Sequence, residues 1–330
     1  MTVLFSIGVT TYKRRDLLKE CLSSILRQTF RDFEIIVGND YPKEKLSGEL
    51  LDLSDERIRF VNHPRNLGEM GNMNALLAEG RGRYFTWLAD DDLYADTFLE
   101  SIHATLSKHG FPPCVFTSYL SGASFPPGRE VPVREGECLA GRQFLRLYLN
   151  RTLRLQGCYG VFETQYLRKI GGMTQLGVGF SPYSDQLLAL RAACLPTIVY
   201  IDAPLIFYRT HDQSISWAST DLDAYTSAQE RLCGEGIEIF SSEGLQADFQ
   251  SSLFFLLCWC IRDFASVLLR SGGVDRRRVY AYLGFIRKHL RLLQGSTLYW
   301  RTIAFLGRVG CRLVWDIGWK QRGGQVAHTT

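Results

Sequence analysis

Residues 84–92 have the sequence YFTWLADDD, in which a short apolar run ends directly in three consecutive aspartates. Such a run, rich in aromatic and branched side chains, is typical of a buried β-strand. Similar strand patterns occur at residues 3–9, 33–37 and 57–61, and apolar residues at helical spacing lie between them. Strand and helix patterns that alternate in this way predict an α/β fold with a mostly parallel sheet flanked by helices.

Acidic residues follow two of the predicted strands. Asp40 comes shortly after the strand at 33–37, and Asp90–Asp92 follow the strand at 84–88 without a break. In open α/β sheets, ligands bind beyond the carboxyl ends of the strands. The sequence therefore predicts a binding site at this edge of the sheet.

The three adjacent aspartates indicate a cation. Neighbouring carboxylates repel one another unless a positive charge lies among them. Hard oxygen ligands suit Mg²⁺ or Mn²⁺, which proteins commonly hold with one or two carboxylates together with substrate phosphates. The alternative is a helix cap, because aspartate is favoured at helix N-termini and a helix is predicted over residues 95–108. The residues alone leave these two interpretations about equal.

Two further aspartates are candidates for a functional role. Asp40 can accept hydrogen bonds from a base or a ribose, and the alternative is a turn residue before Pro42. Asp185 follows a glycine-rich stretch and precedes the apolar residues 187–193. A carboxylate at this place can serve as a general base, and the alternative is a helix N-cap.

The segment YRTHDQS at residues 208–214 supplies two more candidates. His211 can bind a metal or a phosphate, and the Arg209 guanidinium can contact a diphosphate. A polar loop residue without a ligand is the alternative for His211.

The composition excludes several classes of protein. The 330 residues are 46% hydrophobic and 22% charged, which is ordinary for a globular chain and unlike collagen, disordered or disulfide-scaffold sequences. Nine cysteines occur without a C-x-x-C pair, so a reduced, cytoplasmic compartment is expected. The longest apolar run, at residues 253–269, is interrupted by Arg262 and Asp263, and we therefore predict no transmembrane helix.

Charge divides the chain into two parts. Residues 251–330 contain 13 Lys and Arg against 3 Asp and Glu, a net charge of +10, whereas the first 250 residues carry −6. Helical patterns dominate from about residue 220 onward. We therefore predict a catalytic domain over residues 1–217 and a basic helical extension over residues 218–330.

The extension carries an amphipathic pattern in residues 298–322. Five charged residues fall within about a third of the helix circumference: Arg301, Arg308, Arg312, Asp316 and Lys320. Such a surface suits anionic lipid headgroups. Packing against the catalytic domain, or against a partner subunit in an oligomer, is the alternative. No nucleic-acid reader motif accompanies the basic residues, so no nucleic acid is expected as a partner.

Four groups of residues, in order along the chain, resemble sequence blocks of the inverting glycosyltransferases of family 2, which have the GT-A fold. These groups are SIGVTTY at 6–12 with LRQTF at 26–30 and FEIIV at 33–37, NLG at 66–68 with GRYFTWLADDD at 82–92, LRKIGGM at 167–173 with SD at 184–185, and YRTH at 208–211. The resemblance covers about residues 3–217.

The resemblance implies a role for each candidate residue. The nucleotide-sugar site would consist of Thr10, Tyr12, Asp40, Asn74, Asp90 and Arg209. A divalent metal, Mn²⁺ or Mg²⁺, would be held by Asp91, Asp92 and His211, and Asp185 would be the catalytic base. The chain departs from the family pattern at Thr11, Asn39, Ala89 and Ser184. These departures affect the expected pocket for the nucleobase more than the metal ligand or the catalytic aspartate.

These implications define the expected function. The enzyme would transfer a sugar from a nucleotide-diphospho-sugar, with UDP as the expected nucleotide, to a hydroxyl of a glycan or a lipid-linked acceptor. The expected setting is bacterial polysaccharide assembly, in the cytoplasm or on the cytoplasmic face of the inner membrane. The alternatives are a sugar- or partner-binding module with a degenerate site and, less favoured, a nucleotidyltransferase. The latter normally has a glycine-rich basic loop after the first strand, where this chain has Val9-Thr10-Thr11-Tyr12.

Overall fold

The computed structural model describes residues 3–124, 131–211, 219–271 and 276–321, with the side chains of residues 276 and 313–321 outside the description. The predicted domain boundary at residues 217 and 218 lies outside the described residues. So do the side chains of Asp316 and Lys320, two of the charged residues predicted to share a helix face.

Nine strands form one sheet in the described part of the chain. They are β1 Phe5–Thr11, β2 Phe33–Asn39, β3 Ile58–Asn62, β4 Tyr84–Ala89, β5 Leu93–Tyr94, β6 Cys114–Gly122, β7 Glu137–Leu139, β8 Val161–Glu163 and β9 Ile198–Arg209. The α-helices among the described residues are α1 Arg15–Leu26, α2 Glu69–Glu79, α3 Phe98–Lys108, α4 Gly141–Leu149, α5 Thr164–Lys169, α6 Ser184–Ala192, α7 Leu222–Phe240, α8 Phe249–Arg270, α9 Arg276–Leu290 and α10 Thr297–Gln321.

The sheet has the order β3-β2-β1-β4-β8-β6-β9-β5, and β7 pairs with β9. β1 to β4 are parallel to one another, and β6 is parallel to β9. The short strands β5, β7 and β8 are antiparallel to their neighbours. This arrangement confirms the predicted mostly parallel α/β sheet.

The apolar pattern of the first strands explains their position in the core. Phe5, Ile7 and Val9 of β1 have no exposed surface, and the alternate residues Ile35 and Val37 of β2 are equally buried. They belong to one cluster with apolar residues of α1. β1 extends two residues beyond its predicted end, to Thr11, so its last residues reach the edge where the aspartates of β4 begin.

The middle of the chain is more regular than its sequence indicates. The prolines and glycines of residues 121–215 indicate a loop-rich stretch, whereas β9 alone is 12 residues long. Its sequence IVYIDAPLIFYR contains Asp202 and Pro204, which break the apolar run. The pairing of β6 with β9 shifts register around Ser118, which lies opposite Pro204. A proline cannot donate a ladder hydrogen bond, so the irregular pairing lets one long strand pass over it.

The chain forms two compact units. The first consists of Met1–Gln175 and Ser184–Asp212, and the second of Leu176–Tyr183 and Gln213–Thr330. The described part of the second unit includes α7 to α10, in agreement with the helical pattern predicted from about residue 220.

One stretch of the helical unit, Gln246–Arg270, is long and apolar enough by composition to cross a membrane, and most of its apolar window is buried inside the protein. Leu253, Leu256 and Leu257 have no exposed surface. The packing of α8 within the unit accounts for its apolar composition.

Candidate active site

The aspartates at the end of β4 face different surroundings. Asp90 has no exposed surface. The Thr11 hydroxyl donates a 2.6 Å hydrogen bond to Asp90 Oδ2, and Arg14 Nη2 lies 2.9 Å from Oδ1. Burial raises the pKa of Asp90 to about 6, although the charge of Arg14 and the Thr11 hydrogen bond act to lower it. β1 and the turn after it thus supply both partners of this carboxylate.

Asp91 is partly exposed, with 13% of its side chain accessible to solvent, and brings two distant residues together. Arg14 Nη1 is 2.6 Å from Asp91 Oδ2, and His211 Nε2 is 2.9 Å from the same oxygen. His211 comes 120 residues after Asp91 in the chain. The structure therefore brings into contact two of the residues for which a metal-binding role is predicted.

Asp92 points into the protein. Its two carboxylate oxygens accept hydrogen bonds, one from the Tyr159 hydroxyl and one of 2.7 Å from the backbone N–H of Arg209. Burial, and then the charge of Asp91, raise the pKa of Asp92 to about 8. These contacts hold the end of β4 against the end of β9. The metal-binding role of Asp92 stays a prediction that none of them supports.

The residues predicted to hold the nucleoside lie at the ends of β1 and β2 or directly after them. Thr10 is the second-last residue of β1, and Tyr12 follows that strand with 41% of its surface exposed. The rings of Tyr12 and Tyr41 are 5.5 Å apart, and Lys13 Nζ lies over both. Asp40 accepts hydrogen bonds from the N–H groups of Leu67 (2.6 Å) and Gly68 (2.9 Å), just before α2.

Two other residues predicted to bind the nucleotide sugar are engaged within the protein. The Asn74 side-chain amide exchanges two 2.8 Å hydrogen bonds with the backbone of Met173. The Arg209 guanidinium lies 2.5 Å from Glu20 Oε2. Both contacts connect distant parts of the chain, and ligand binding by these two residues stays a prediction.

Asp185 lies in the first turn of α6. The backbone N–H of Gly157 donates a 3.2 Å hydrogen bond to Asp185 Oδ2. Burial raises the pKa of Asp185 to about 6, against the effect of backbone N–H groups, that of Gly157 first, which lowers it. A carboxyl group that titrates near 6 is charged at neutral pH and can still accept a proton efficiently.

Glu69 is an acidic residue at the start of α2 that sequence reasoning did not single out. It begins α2 directly after the NLG motif and remains accessible to solvent. Its pKa is raised by the surrounding protein, then by the charge of Asp185, then by that of Asp91. The negative charges of Asp185 and Asp91 thus both disfavour ionisation of Glu69.

Arg14 was also missed, because Lys13, Arg14 and Arg15 are consecutive basic residues that the sequence does not distinguish. In the structure, Lys13 lies over two tyrosine rings and Arg15 forms an ion pair with Glu44. Arg14 alone of the three contacts the aspartates at the end of β4. The three basic side chains point in different directions from the turn after β1, and only that of Arg14 points toward the aspartates. Counting charges in the sequence does not reveal this difference.

The donors present can form part of a metal site. Among the described residues, no group of three His, Cys, Asp or Glu side chains is arranged to hold a metal by itself. Asp91 and His211 offer one carboxylate and one imidazole at a partly exposed position. Mg²⁺ and Mn²⁺ sites of this kind are usually completed by substrate phosphates and water, so these two residues fit a metal that arrives with a diphosphate.

Residues 6–157 match the family model for glycosyl transferase family 2. The chain carries a glycosyltransferase family 2 domain. This match begins in β1 and ends at Gly157, whose backbone N–H contacts Asp185. The aspartates of β4, Arg14 and Glu69 all lie inside it.

Curated relatives match the chain over short segments. A Campylobacter jejuni protein, named GalNAc(5)-diNAcBac-PP-undecaprenol beta-1,3-glucosyltransferase, is 37% identical over 90 residues, which are 26% of this chain and 29% of that protein. Other curated relatives match over as many as 111 residues. The chain spans about a third or less of the length of the curated relatives it matches.

Solved structures resemble the whole chain in fold. A fragment of S. aureus TarS has a TM-score of 0.64 at 15% identity, with 98% of this chain and 93% of that chain covered. The mannosyltransferase PcManGT from Pyrobaculum calidifontis, solved with GDP-Man and Mn²⁺, has a TM-score of 0.52 at 13% identity, with 96% and 88% covered. These likenesses support the GT-A fold of the glycosyltransferase domain.

The contact between Gly157 and Asp185 leads to a testable expectation. A Cβ added at Gly157 would lie 1.8 Å from the backbone oxygen of Asp185. Gly157→Ala must therefore move α6, and we expect a loss of about 1–3 kcal/mol in the free energy of unfolding, as for other overpacked sites. Chemical denaturation measures this loss.

Gly284→Ala is the matched control, because a Cβ at Gly284 in α9 meets no atom within 4 Å. Alanine has the higher helix propensity, so this variant should be as stable as the wild-type protein or more stable. Equal stability of Gly157→Ala and the wild-type protein would contradict the close packing of Gly157 against Asp185.

Proposed function

We propose that the protein is an inverting glycosyltransferase that moves a sugar from a nucleotide-diphospho-sugar to an acceptor hydroxyl. One observation carries the proposal: the short turn Gly157–Tyr159 contacts Asp185 through the backbone N–H of Gly157 and the acidic cluster after β4 through the Tyr159 hydroxyl, which donates a hydrogen bond to Asp92. A proton acceptor and a site for the diphosphate therefore belong to one small region of the glycosyltransferase domain.

The reaction needs a single displacement. The acceptor oxygen attacks the anomeric carbon while its proton passes to Asp185, and the bond from that carbon to the diphosphate oxygen breaks. Attack opposite to the leaving group inverts the anomeric configuration without an enzyme nucleophile. The backbone N–H of Gly157 fixes one oxygen of Asp185, so the carboxylate is held in one orientation before the acceptor arrives.

The departing diphosphate develops negative charge that the site must stabilise. Asp91 and His211 would hold a divalent cation, which supplies positive charge to the leaving oxygens when it is bound. PcManGT, which shares the fold, was solved with Mn²⁺. Arg14 and Arg209 add positive charge on the same edge of the sheet.

Uridine is the proposed base of the donor, and a lipid-linked glycan the proposed acceptor. TarS, the neighbour with the higher TM-score of the two described, has been solved with UDP-GlcNAc. The exposed Tyr12 ring beside Tyr41 offers an aromatic surface for a base. The name of the Campylobacter relative contains a diphosphate-linked undecaprenol, which favours a lipid-linked acceptor and work at the cytoplasmic face of a membrane in envelope polysaccharide assembly.

The helix α10 offers a surface for that membrane. Trp300 is 69% exposed and Ile303 is 37% exposed. Arg301, Arg308 and Arg312 are exposed on the same side of the helix at about 100° per residue. An aromatic residue beside a row of arginines suits the headgroup region of an anionic bilayer. We propose that α10 brings the glycosyltransferase domain to its acceptor, with self-association through the same residues as the competing interpretation.

Nucleotide binding tests the donor site. UDP with Mn²⁺ should raise the unfolding temperature, and at 100 times its Kd a ligand adds about 2.7 kcal/mol of stability. EDTA should abolish most of the shift. Asp91→Asn should remove the metal dependence, whereas Asp52→Asn, which changes an exposed carboxylate elsewhere, should leave it intact. A larger shift with GDP, dTDP or CMP than with UDP would contradict the uridine assignment.

Asp185→Asn tests the base. Because a positioned base contributes about 10²- to 10⁴-fold, sugar transfer should fall by that factor. The wild-type rate should be constant above pH 6 and fall about tenfold per pH unit below it, as Asp185 is protonated. Steady-state rates of the wild-type protein and of Asp185→Asn over pH 5–8 measure the loss of transfer and the pH dependence. Transfer by the asparagine variant within a few-fold of wild type would exclude Asp185 as the base.

Asp185→Asn should increase the stability of the protein although it lowers the rate of sugar transfer. The pKa of Asp185 is higher in the folded protein than its usual 3.8, so its charged form opposes folding above pH 6. Asp185→Asn should therefore raise the free energy of unfolding by about 1–3 kcal/mol at pH 8. The gain should shrink as the pH falls through 6 and vanish below 3.8. A loss of stability at pH 8 would contradict the unfavourable burial of this charge.

Vesicle binding tests the membrane surface. The full chain should sediment with vesicles that contain phosphatidylglycerol but not with phosphatidylcholine alone. Each basic residue near an anionic surface contributes about 1 kcal/mol. A triple variant with Gln at 301, 308 and 312 should therefore bind about 3 kcal/mol more weakly.

The control is a triple Gln variant of Arg31, Arg65 and Arg81, which are exposed in the glycosyltransferase domain and should not matter for vesicle binding. Equal binding of the two triple variants would contradict the assignment to α10. A dimer in light scattering without lipid, lost in the α10 variant, would favour self-association.

A further inference from the structure

Arg14 bridges two of the aspartates at the end of β4. Its Nη2 lies 2.9 Å from Asp90 Oδ1, and its Nη1 lies 2.6 Å from Asp91 Oδ2. Its side chain is 30% exposed, whereas that of Asp90 is fully buried. One planar guanidinium thus neutralises two adjacent carboxylates and can still reach solvent.

Arg14 contacts the oxygen that a metal would need. Asp91 Oδ2 contacts both Arg14 and His211, so the guanidinium and the imidazole meet at one carboxylate oxygen. A divalent cation bound by Asp91 and His211 would lie beside the guanidinium, and two positive charges at such a distance repel strongly. Metal binding to this pair of residues therefore requires Arg14 to withdraw.

A diphosphate offers the displaced guanidinium a new partner. The fork of N–H groups in arginine matches phosphate oxygens in bidentate geometry, and these charge-assisted hydrogen bonds are among the strongest in proteins. Arg14 lies in the turn between β1 and α1, directly after the residues proposed to hold the nucleoside. The diphosphate of a bound donor would therefore lie within reach of a long side chain at this place.

We propose that Arg14 is the resting counter-cation of Asp90 and Asp91, that a divalent cation replaces it there, and that it then binds the donor diphosphate. The inference rests on the proposed function: its first half on the metal site at Asp91 and His211, and its second half on the donor diphosphate. Its consequence is that the site binds metal weakly until the nucleotide arrives, because only the nucleotide provides Arg14 with another anion. Arg14 is thus a positioning residue that couples the two binding events.

Arg14→Gln separates this role from a structural one. Without nucleotide, calorimetric titration should show Mn²⁺ binding about tenfold or more tighter in Arg14→Gln than in the wild-type protein, because a charged competitor is gone. With saturating Mn²⁺, UDP should bind about tenfold or more weakly to the variant. A residue that only stabilises the fold could weaken both titrations but could not strengthen the first.

Two further variants serve as controls. Arg15→Gln removes the same charge from the next position, where the side chain pairs with Glu44, and should leave both affinities unchanged. Arg14→Lys keeps the charge but lacks the fork, so its Mn²⁺ affinity should stay near that of wild type while UDP binds more weakly. Circular dichroism confirms that each variant is folded.

The outcomes separate the inference from the proposed function. If Mn²⁺ binds Arg14→Gln no more tightly than wild type, the counter-cation role is wrong, even where UDP binds. If Mn²⁺ binding tightens but UDP fails to bind the wild-type protein, the proposed donor is wrong and the counter-cation role stands. If Mn²⁺ binds none of the folded proteins, both the metal site and the inference are overturned.

Discussion

A carboxylate without exposed surface, that of Asp90, constrains the rest of the site. Removing a lone carboxylate from water costs several kcal/mol unless partners replace its hydration. Thr11 and Arg14 are those partners, and both come from the end of β1 and the turn after it. The pairing of β1 with β4 therefore serves the chemistry as well as the sheet, because it places Thr10 opposite Ala89 and so brings the ends of the two strands together.

The three consecutive aspartates after β4 differ in burial and in pKa because their side chains point in different directions. Asp90 and Asp92 point inward, where burial raises their pKa values to about 6 and about 8. Asp91 points outward and meets His211 and Arg14. Asp90 and Asp92 are thus enclosed by their protein partners, and Asp91 is the carboxylate of the three that remains for a cation.

The sequence allows some of this to be predicted and conceals the rest for physical reasons. Strand runs such as residues 84–88 are recognisable because burial on both faces demands continuous apolar residues, and Asp185 because it follows a glycine-rich stretch before an apolar helix. β9 escaped recognition because Asp202 and Pro204 interrupt its pattern, although a shifted pairing tolerates them. Arg14 and Glu69 escaped because a charged residue after a strand or before a helix is usually solvated. Only the three-dimensional arrangement gives them charged neighbours.

The segment Leu176–Tyr183 interrupts the first unit in sequence. It belongs to the helical unit, where Gln229 donates a 2.8 Å hydrogen bond to the Tyr183 hydroxyl and the ring of Phe180 contacts that of Tyr225. The chain enters this unit at Leu176 and returns to the first unit at Ser184, directly before Asp185. A gene fusion or recombination with a single breakpoint near residue 212 would therefore deprive this segment of its packing partners. Substitutions can accumulate in the helical unit, but replacing residues 213–330 alone would leave Leu176–Tyr183 without the residues that it packs against.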